Sequence, residues 1–354
     1  MNITVKLTNT PKTKPDSSVL GFGKYFTDHM FIMEYTEGEG WKNARIVPFE
    51  NLSIHPASTV LHYGSEIFEG LKAYRRADGK VQLFRPLENI RRMNRSADRM
   101  CLPQIPEEDA LEILTKFVET EKDWTPSAPG TSLYLRPFMF GNDESLGVHS
   151  VKNATYIIIA SPVGSYYKEG INPVSIMIES EDVRAVRGGT GEAKCGGNYA
   201  ASNRAGKRAE EKGYSQVLWL DGVERKYIEE VGAMNVMFKI DGVVVTPALL
   251  GSILPGITRK SCIEVLKDAG YKVEEPRLSV DELESALESG KLEEAWGCGT
   301  AAVVSPIGEL NYKGKKFIIN NGKIGEVTQK LYDTLTGIQW GKTEDKFGWT
   351  YMIG

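Results

Sequence analysis

Between Val163 and Pro173 the chain runs through Gly164, Ser165, Gly170 and Asn172, directly after two strand-like runs, Ser132–Phe140 and Thr155–Pro162. Turn formers and polar residues this dense end regular structure and mark a crossing between folding units. A chain of 354 residues also exceeds what one hydrophobic core ordinarily serves. Together these features predict a smaller N-terminal domain over residues 1–163, a linker over 164–174 and a larger C-terminal domain over 175–354.

Each half mixes strands and helices. In the first, Arg85-Pro86 opens a helix with its body from Leu87 to Ala97. Proline suits such a first turn, because the amide it lacks has no helical partner there. Pro106–Glu119 is a second helix, with Leu111, Leu114 and Val118 at helical spacing. In the second half Tyr199–Lys212, closed by Gly213, and Thr258–Ala269, closed by Gly270, read as helices. Ser279 and Glu282 have capping-box spacing and open a third, which Gly290 stops. Strands Val217–Leu220, Asn235–Ile240, Val243–Thr246 and Glu294–Cys298 lie between. Without regular βαβ alternation, the expected class is α+β.

Lys plus Arg number 43 and Asp plus Glu 47, a net charge of −4. This balance predicts neither a nucleic acid nor an anionic membrane as partner, so any bound anion needs a local site. No apolar run approaches membrane-spanning length. Cys101, Cys195, Cys262 and Cys298 are far apart in sequence, with no CxxC pair. They suggest neither a disulfide framework nor a metal site, which suits a soluble, cytoplasmic protein.

The most unusual segment is Gly188-Gly189-Thr190-Gly191-Glu192-Ala193-Lys194-Cys195-Gly196-Gly197-Asn198-Tyr199. Glycines on both sides let a ligand approach the backbone closely. A lysine there can lose solvation and become a reactive amine. The same segment also fits a solvated surface loop. It does not fit a GxxxxGK[ST] phosphate loop, since Ala193 and Cys195 flank the lysine. Tyr134 and Arg136 alternate along a strand and share a face, an arrangement suited to a carboxylate or to a surface ion pair. Leu254-Pro255-Gly256 leads straight into a helix, whose first amides, including those of Ile257 and Thr258, form a general anion site. Arg92 could add charge to such an anion. Gly297-Cys298-Gly299-Thr300-Ala301-Ala302 matches a loose dinucleotide fingerprint, but the strand-like Val303–Pro306 follows where that motif needs a helix. A turn of small residues can instead present amides to a carboxylate. Glu229 and Glu230 precede a buried-looking strand.

In order and spacing these pieces resemble the branched-chain aminotransferases, of the D-amino-acid-aminotransferase-like (fold type IV) group. The resemblance runs from about Phe22 to Trp349 and is carried by Phe22–Met30, His62–Lys72, Lys194–Tyr199, Glu230–Asn235 and Leu254–Gly256. It implies a two-domain fold, pyridoxal 5'-phosphate as cofactor, a homodimer, and amino transfer from L-leucine, L-isoleucine or L-valine to 2-oxoglutarate. Lys194 would then carry the cofactor and shuttle the α-proton. Glu230 would face the pyridine nitrogen and Tyr199 the phenolic oxygen, while Arg92, Ile257 and Thr258 would hold the phosphate. Thr300 counts with the cofactor groups too, and with Tyr134 and Ala301 it would take the substrate α-carboxylate. Phe22, Tyr63, Phe68 and Tyr166 would wall an apolar pocket, Arg136 would receive the distal carboxylate of 2-oxoglutarate, and Val148 would reach the partner's site. No metal is implied. The chain departs from mammalian members, whose redox CxxC positions are here Ala302 and Ser305, so no thiol switch of that kind is expected. Ala233 replaces a threonine found near the cofactor nitrogen in some relatives. A D-amino-acid aminotransferase, an aminodeoxychorismate lyase or a non-catalytic cofactor-binding protein are the alternatives.

Overall fold

The computed structural model describes residues 1–164 and 171–354. Its contacts divide the chain into two units. The first comprises Met1–Tyr166, Ala193–Gly196 and Gly337–Gly354; the second comprises Tyr167–Glu192 and Gly197–Thr336.

The first unit is built on strands β1 (Thr4–Val5), β2 (His29–Thr36), β3 (Gly40–Pro48), β4 (Glu66–Phe68), β5 (Leu71–Arg75), β6 (Val81–Phe84), β7 (Ser132–Gly141) and β8 (Asn153–Val163). Their order is β1-β3-β2-β8-β7-β5-β6, with β4 on β7. All pairs are antiparallel except β1 with β3. Helices α1 (Thr59–Tyr63), α2 (Pro86–Arg99) and α3 (Glu107–Glu121) accompany this sheet. Ile90, Met93 and Ala97 of α2 and Ile113, Leu114 and Phe117 of α3 recur at helical spacing and enter one core with Phe31, Leu83, Leu135 and Ile158 of the strands. Arg85 starts α2 from a left-handed conformation, φ 50°, which costs a non-glycine residue roughly 1 kcal/mol. Its N–H donates to the Trp349 carbonyl (2.7 Å) and its guanidinium lies over that indole (4.7 Å), so the C-terminal segment stabilises the bend.

In the second unit the strands are β9 (Val174–Ile178), β10 (Gln216–Leu220), β11 (Ile228–Val231), β12 (Met234–Ile240), β13 (Val243–Val245), β14 (Val273–Glu274), β15 (Leu292–Gly299), β16 (Val303–Tyr312) and β17 (Lys315–Ile318). The order β11-β10-β9-β16-β15-β12 is closed by an additional β11–β12 pairing, which makes a six-stranded barrel. Its core holds Leu218, Val236, Phe238, Ala295 and Leu310. The expected helix Tyr199–Lys212 is two, α4 (Gly196–Ala200) and α5 (Asn203–Glu211). Between them Ser202 turns its hydroxyl back to the Tyr199 carbonyl (2.6 Å), a local bond that competes with helix continuation. Helices α6 (Ile257–Asp268) and α7 (Val280–Glu288) stand where expected, and Ser279 and Glu282 form both halves of the capping box. A further helix, α8 (Glu326–Gln339), escapes the sequence reading. Its first amides, Val327 and Thr328, donate to the Glu294 carboxylate from β15, a cap no local pattern displays.

The expected C-terminal domain reaches residue 354, but Gly337–Gly354 belongs to the first unit. Strand β18 (Thr350–Met352) pairs with β6, and Trp340 packs on Tyr74 (4.7 Å) while its indole N–H donates to the Thr131 carbonyl (3.0 Å). Gln82 takes the carbonyls of Ile338 and Gln339. These bonds tie the end of the chain to the first sheet.

Candidate active site

Lys194 belongs to the first unit, although the residues on either side of its loop belong to the second. The loop is pinned at the backbone. The Lys194 N–H donates to Ser96 Oγ on α2 (2.9 Å), the Lys194 carbonyl accepts from the Phe68 N–H (2.9 Å), and the Gly196 N–H donates to Glu66. Ala193 and Cys195 on either side are buried in the first core. In the second unit Asn198 bonds both the hydroxyl (2.8 Å) and the carbonyl (2.7 Å) of Thr190, closing the loop's ends. The lysine side chain is half-buried, with Nζ 4.8 Å from the Phe68 ring centre.

Phe68 also carries Arg136, whose guanidinium carbon lies 4.7 Å from the ring centre. Arg136 Nη2 donates to Tyr134 Oη (3.0 Å), and Phe22 packs edge-on against Tyr134 (4.9 Å). A Cβ on Gly70 would collide with the Tyr134 hydroxyl, so glycine at that position makes room for the phenol. Arg136 Nε–H is buried and meets no acceptor among the described residues. Such an orphaned donor fits an anionic ligand. The structure therefore brings Lys194, Phe68, Tyr134, Arg136 and Phe22 together. Tyr63 is placed elsewhere: its hydroxyl donates to the Leu146 carbonyl, beside Val148, on an exposed surface. Tyr166 lies outside the described residues.

Arg92 is buried on α2, at the spacing that puts Asn89, Arg92 and Ser96 on one face. Its Nε and Nη2 grip Glu69 through a two-bond fork (2.7 and 2.9 Å), and Asn89 donates to the same carboxylate (2.8 Å). Burial works to raise the Glu69 pKa, but Arg92, Lys194 and Asn89 outweigh it and hold the carboxyl below its usual range. Lys72, also buried, has its pKa pushed down to about 8 by burial. It stands directly across β5–β7 from Tyr134 and on the same face.

In the second unit Glu230 lies on β11 and is 2% exposed. Its carboxylate accepts from Arg184 Nε (2.9 Å) and from the Leu254 N–H (2.8 Å). Asn235, across from it on β12, ties down the Leu254 carbonyl (3.0 Å), and a Cβ on Gly256 would collide with Asn235. This packing fixes the turn that delivers Ile257 and Thr258 to the start of α6, where no side chain provides a cap. The turn between β15 and β16 carries Thr300 and Ala301, both half-buried, and puts Val303 at φ 63°. A buried β-branched residue in the left-handed region signals a turn held for a purpose. A strand follows it, as the sequence reading required. Tyr199 is half-buried in α4.

Sequence reasoning assigned no role to Glu66, Glu69, Lys72 or Arg184. Acids and a lysine inside the apolar run Glu66–Tyr74 were a readable signal, whereas nothing around Arg184 pointed to its partner 46 residues on. Among the described residues no cluster of metal-ligating side chains occurs, and no helix is long and apolar enough to cross a membrane.

The first unit thus holds a pinned lysine beside an arginine–tyrosine pair, and residues 66–310 match the family model Amino-transferase class IV. Over 99% of its length the chain is 57% identical to branched-chain-amino-acid aminotransferase 2 of Bacillus subtilis (strain 168), covering 97% of that protein. It is 48% identical to the branched-chain-amino-acid aminotransferase of Mycobacterium tuberculosis (strain CDC 1551 / Oshkosh), over 94% of this chain and 92% of that one. The solved branched-chain aminotransferase of Escherichia coli matches with a TM-score of 0.76 at 29% identity, over 92% of this chain and 99% of that one. A further branched-chain aminotransferase, solved with pyridoxamine 5'-phosphate, also gives 0.76, at 28% identity, over 92% of this chain and 98% of that one. The chain belongs to the branched-chain aminotransferases of the class IV family.

Proposed function

We propose that the chain transfers the amino group of L-leucine, L-isoleucine or L-valine to 2-oxoglutarate, using pyridoxal 5'-phosphate held on Lys194. The observation that carries this reading is the face of the first sheet where Phe68 supports both Lys194 and Arg136. An amine, an apolar ring and an anion-binding guanidinium there answer the three demands of the reaction. The substrates are amino and oxo acids, and the side chain to be accepted alternates between isobutyl and carboxylate.

The residues fit the cofactor. Arg92 is pre-oriented by Glu69 and would hold the phosphate with the Ile257 and Thr258 amides. Glu230, a buried acid beside Arg184, would face the ring nitrogen, Tyr199 the phenolic oxygen, and Thr300 would complete that shell. When bound, the cofactor supplies the electron sink that makes the substrate α-hydrogen acidic. Lys194 Nζ would take that proton and return it from the same face. Tyr134, Thr300 and Ala301 would orient the α-carboxylate, and Phe22, Phe68 and Tyr166 would exclude water from the apolar side chain. Arg136 would bind the distal carboxylate of 2-oxoglutarate.

We further propose a homodimer. Leu61 (57% exposed), Tyr63 (42%), Leu146 (69%) and Val148 (81%) form an apolar surface stretch that a second copy would cover, with Tyr63 and Val148 reaching the partner's pocket. Four free thiols fit a reducing cytoplasm.

The test is the visible spectrum of the purified protein loaded with pyridoxal phosphate. L-leucine should bleach the yellow band and 2-oxoglutarate should restore it. A band that answers D-alanine but not L-leucine would transfer the assignment to D-amino-acid relatives.

A further inference from the structure

Glu66 stands across from Phe140 on the β4–β7 pair, as Phe68 stands across from Phe138, and Arg136 precedes Phe138 by two residues. The period of two places Glu66, Phe68 and Arg136 on one sheet face. The carboxyl is half-buried and accepts the Gly196 N–H, two residues beyond the proposed cofactor lysine. A Cβ on Gly196 would strike its Oε1. Burial pushes the Glu66 pKa up; the Gly196 amide and the Arg136 charge pull against that rise. Yet Arg136 donates from Nη2 to Tyr134 and keeps its Nε–H without an acceptor among the described residues. Glu66 is thus near enough to act on the guanidinium and is tethered away from closing on it.

We propose that Glu66 is a specificity-determining residue, a built-in carboxylate that compensates Arg136 when a branched side chain fills the pocket and opposes the second carboxylate when 2-oxoglutarate does. This rests on the reading of Arg136 given above. A guanidinium desolvated beside an isobutyl group would be a costly uncompensated charge, and Glu66 reduces that cost. The Gly196 tether keeps the guanidinium fork available to a ligand that needs it. An incoming distal carboxylate adds negative charge, and Glu66 answers by binding a proton. The other charged or titratable groups near this face are Tyr134 and Arg136 on β7, Lys72 on β5, Lys194 in the loop, and Arg92 on α2, itself engaged by Glu69.

The test uses the holoenzyme with glutarate and 4-methylvaleric acid, which present a distal carboxylate or a branched end but carry no group to transfer. Binding is followed calorimetrically in two buffers of different ionisation enthalpy. Wild type should take up protons with glutarate and not with 4-methylvaleric acid. Its glutarate affinity should fall as pH rises through the Glu66 titration, because the ionised form opposes the ligand. Glu66→Gln should lose the uptake, bind glutarate about tenfold tighter and bind 4-methylvaleric acid more weakly. That gain for glutarate should disappear in an Arg136→Ala background. If Glu66→Gln shifts both ligands alike and leaves proton uptake unchanged, Glu66 merely props the loop and the proposal is wrong. If Arg136→Ala leaves glutarate binding intact, the assignment of Arg136 fails first and this inference goes with it.

Discussion

Each unit buries one arginine–glutamate pair at its candidate site, and the two pairs are built differently. In the first, Glu69 is filled by the Arg92 fork and by Asn89, so its oxygens are spent on orienting the arginine. In the second, Arg184 divides its donors between Glu230 and the carbonyls of Gly191 and Ser252, so the arginine is spent on steadying the acid and the turns around it. Under the proposed function the working member is therefore Arg92 in one pair and Glu230 in the other. The same chemical couple is thus used in two ways, and the surrounding bonds show which partner is the support.

The largest expected effect removes the amine on which, under the proposed function, both pairs depend. Lys194→Ala should lower transamination by about 10²–10⁴-fold or more, since it deletes the proton carrier. Wild-type turnover in that variant would dismiss the site as drawn. Swapping the carboxylates can break the comparison outright. Glu230→Gln should cut kcat by about 10²–10³-fold with cofactor still bound. Glu69→Gln should instead weaken cofactor retention by about 10–100-fold, with turnover recovering as pyridoxal phosphate is added. Cofactor titrations that give one pattern for both variants would erase the distinction.

The smallest effect concerns pH. Glu69, held below its usual range, contributes stability present above the ordinary carboxylate pKa and lost only as pH falls through its depressed value. Lys72 adds a slope of the same sign in a more alkaline window, because its folded pKa of about 8 lies under the ordinary 10.5. The native state bears the cost of that buried charge below pH 8. Stability should then rise between 8 and 10.5 by on the order of 3 kcal/mol. Melting temperatures across that window should show the rise in wild type and its loss in Lys72→Met; parallel curves would remove Lys72 from the account.

Much of this was legible in the chain because it is local. The helix starting at Pro86, the Ser279 capping box, the strand carrying Tyr134 and Arg136, and the glycine-flanked Lys194 are all written within a dozen residues. What stayed hidden depends on long-range partners. Glu294 caps α8 from more than 30 positions away, and Arg184 meets Glu230 across 46 residues of chain. Glu69 lies within the segment His62–Lys72, but its role appears only when α2 brings Arg92 to it. The single-helix expectation for Tyr199–Lys212 failed at Ser202, where a side chain outcompeted the helix by one hydrogen bond.

The discontinuity of the first unit has a consequence for how the protein is made. Its sheet includes β18 and its core includes Ala193 and Cys195, yet residues 337–354 are synthesised after the second unit's residues and the lysine loop midway through them. The unit that is synthesised first is finished last. A gene cut at the linker would yield an amino-terminal fragment lacking an edge strand and Lys194 together.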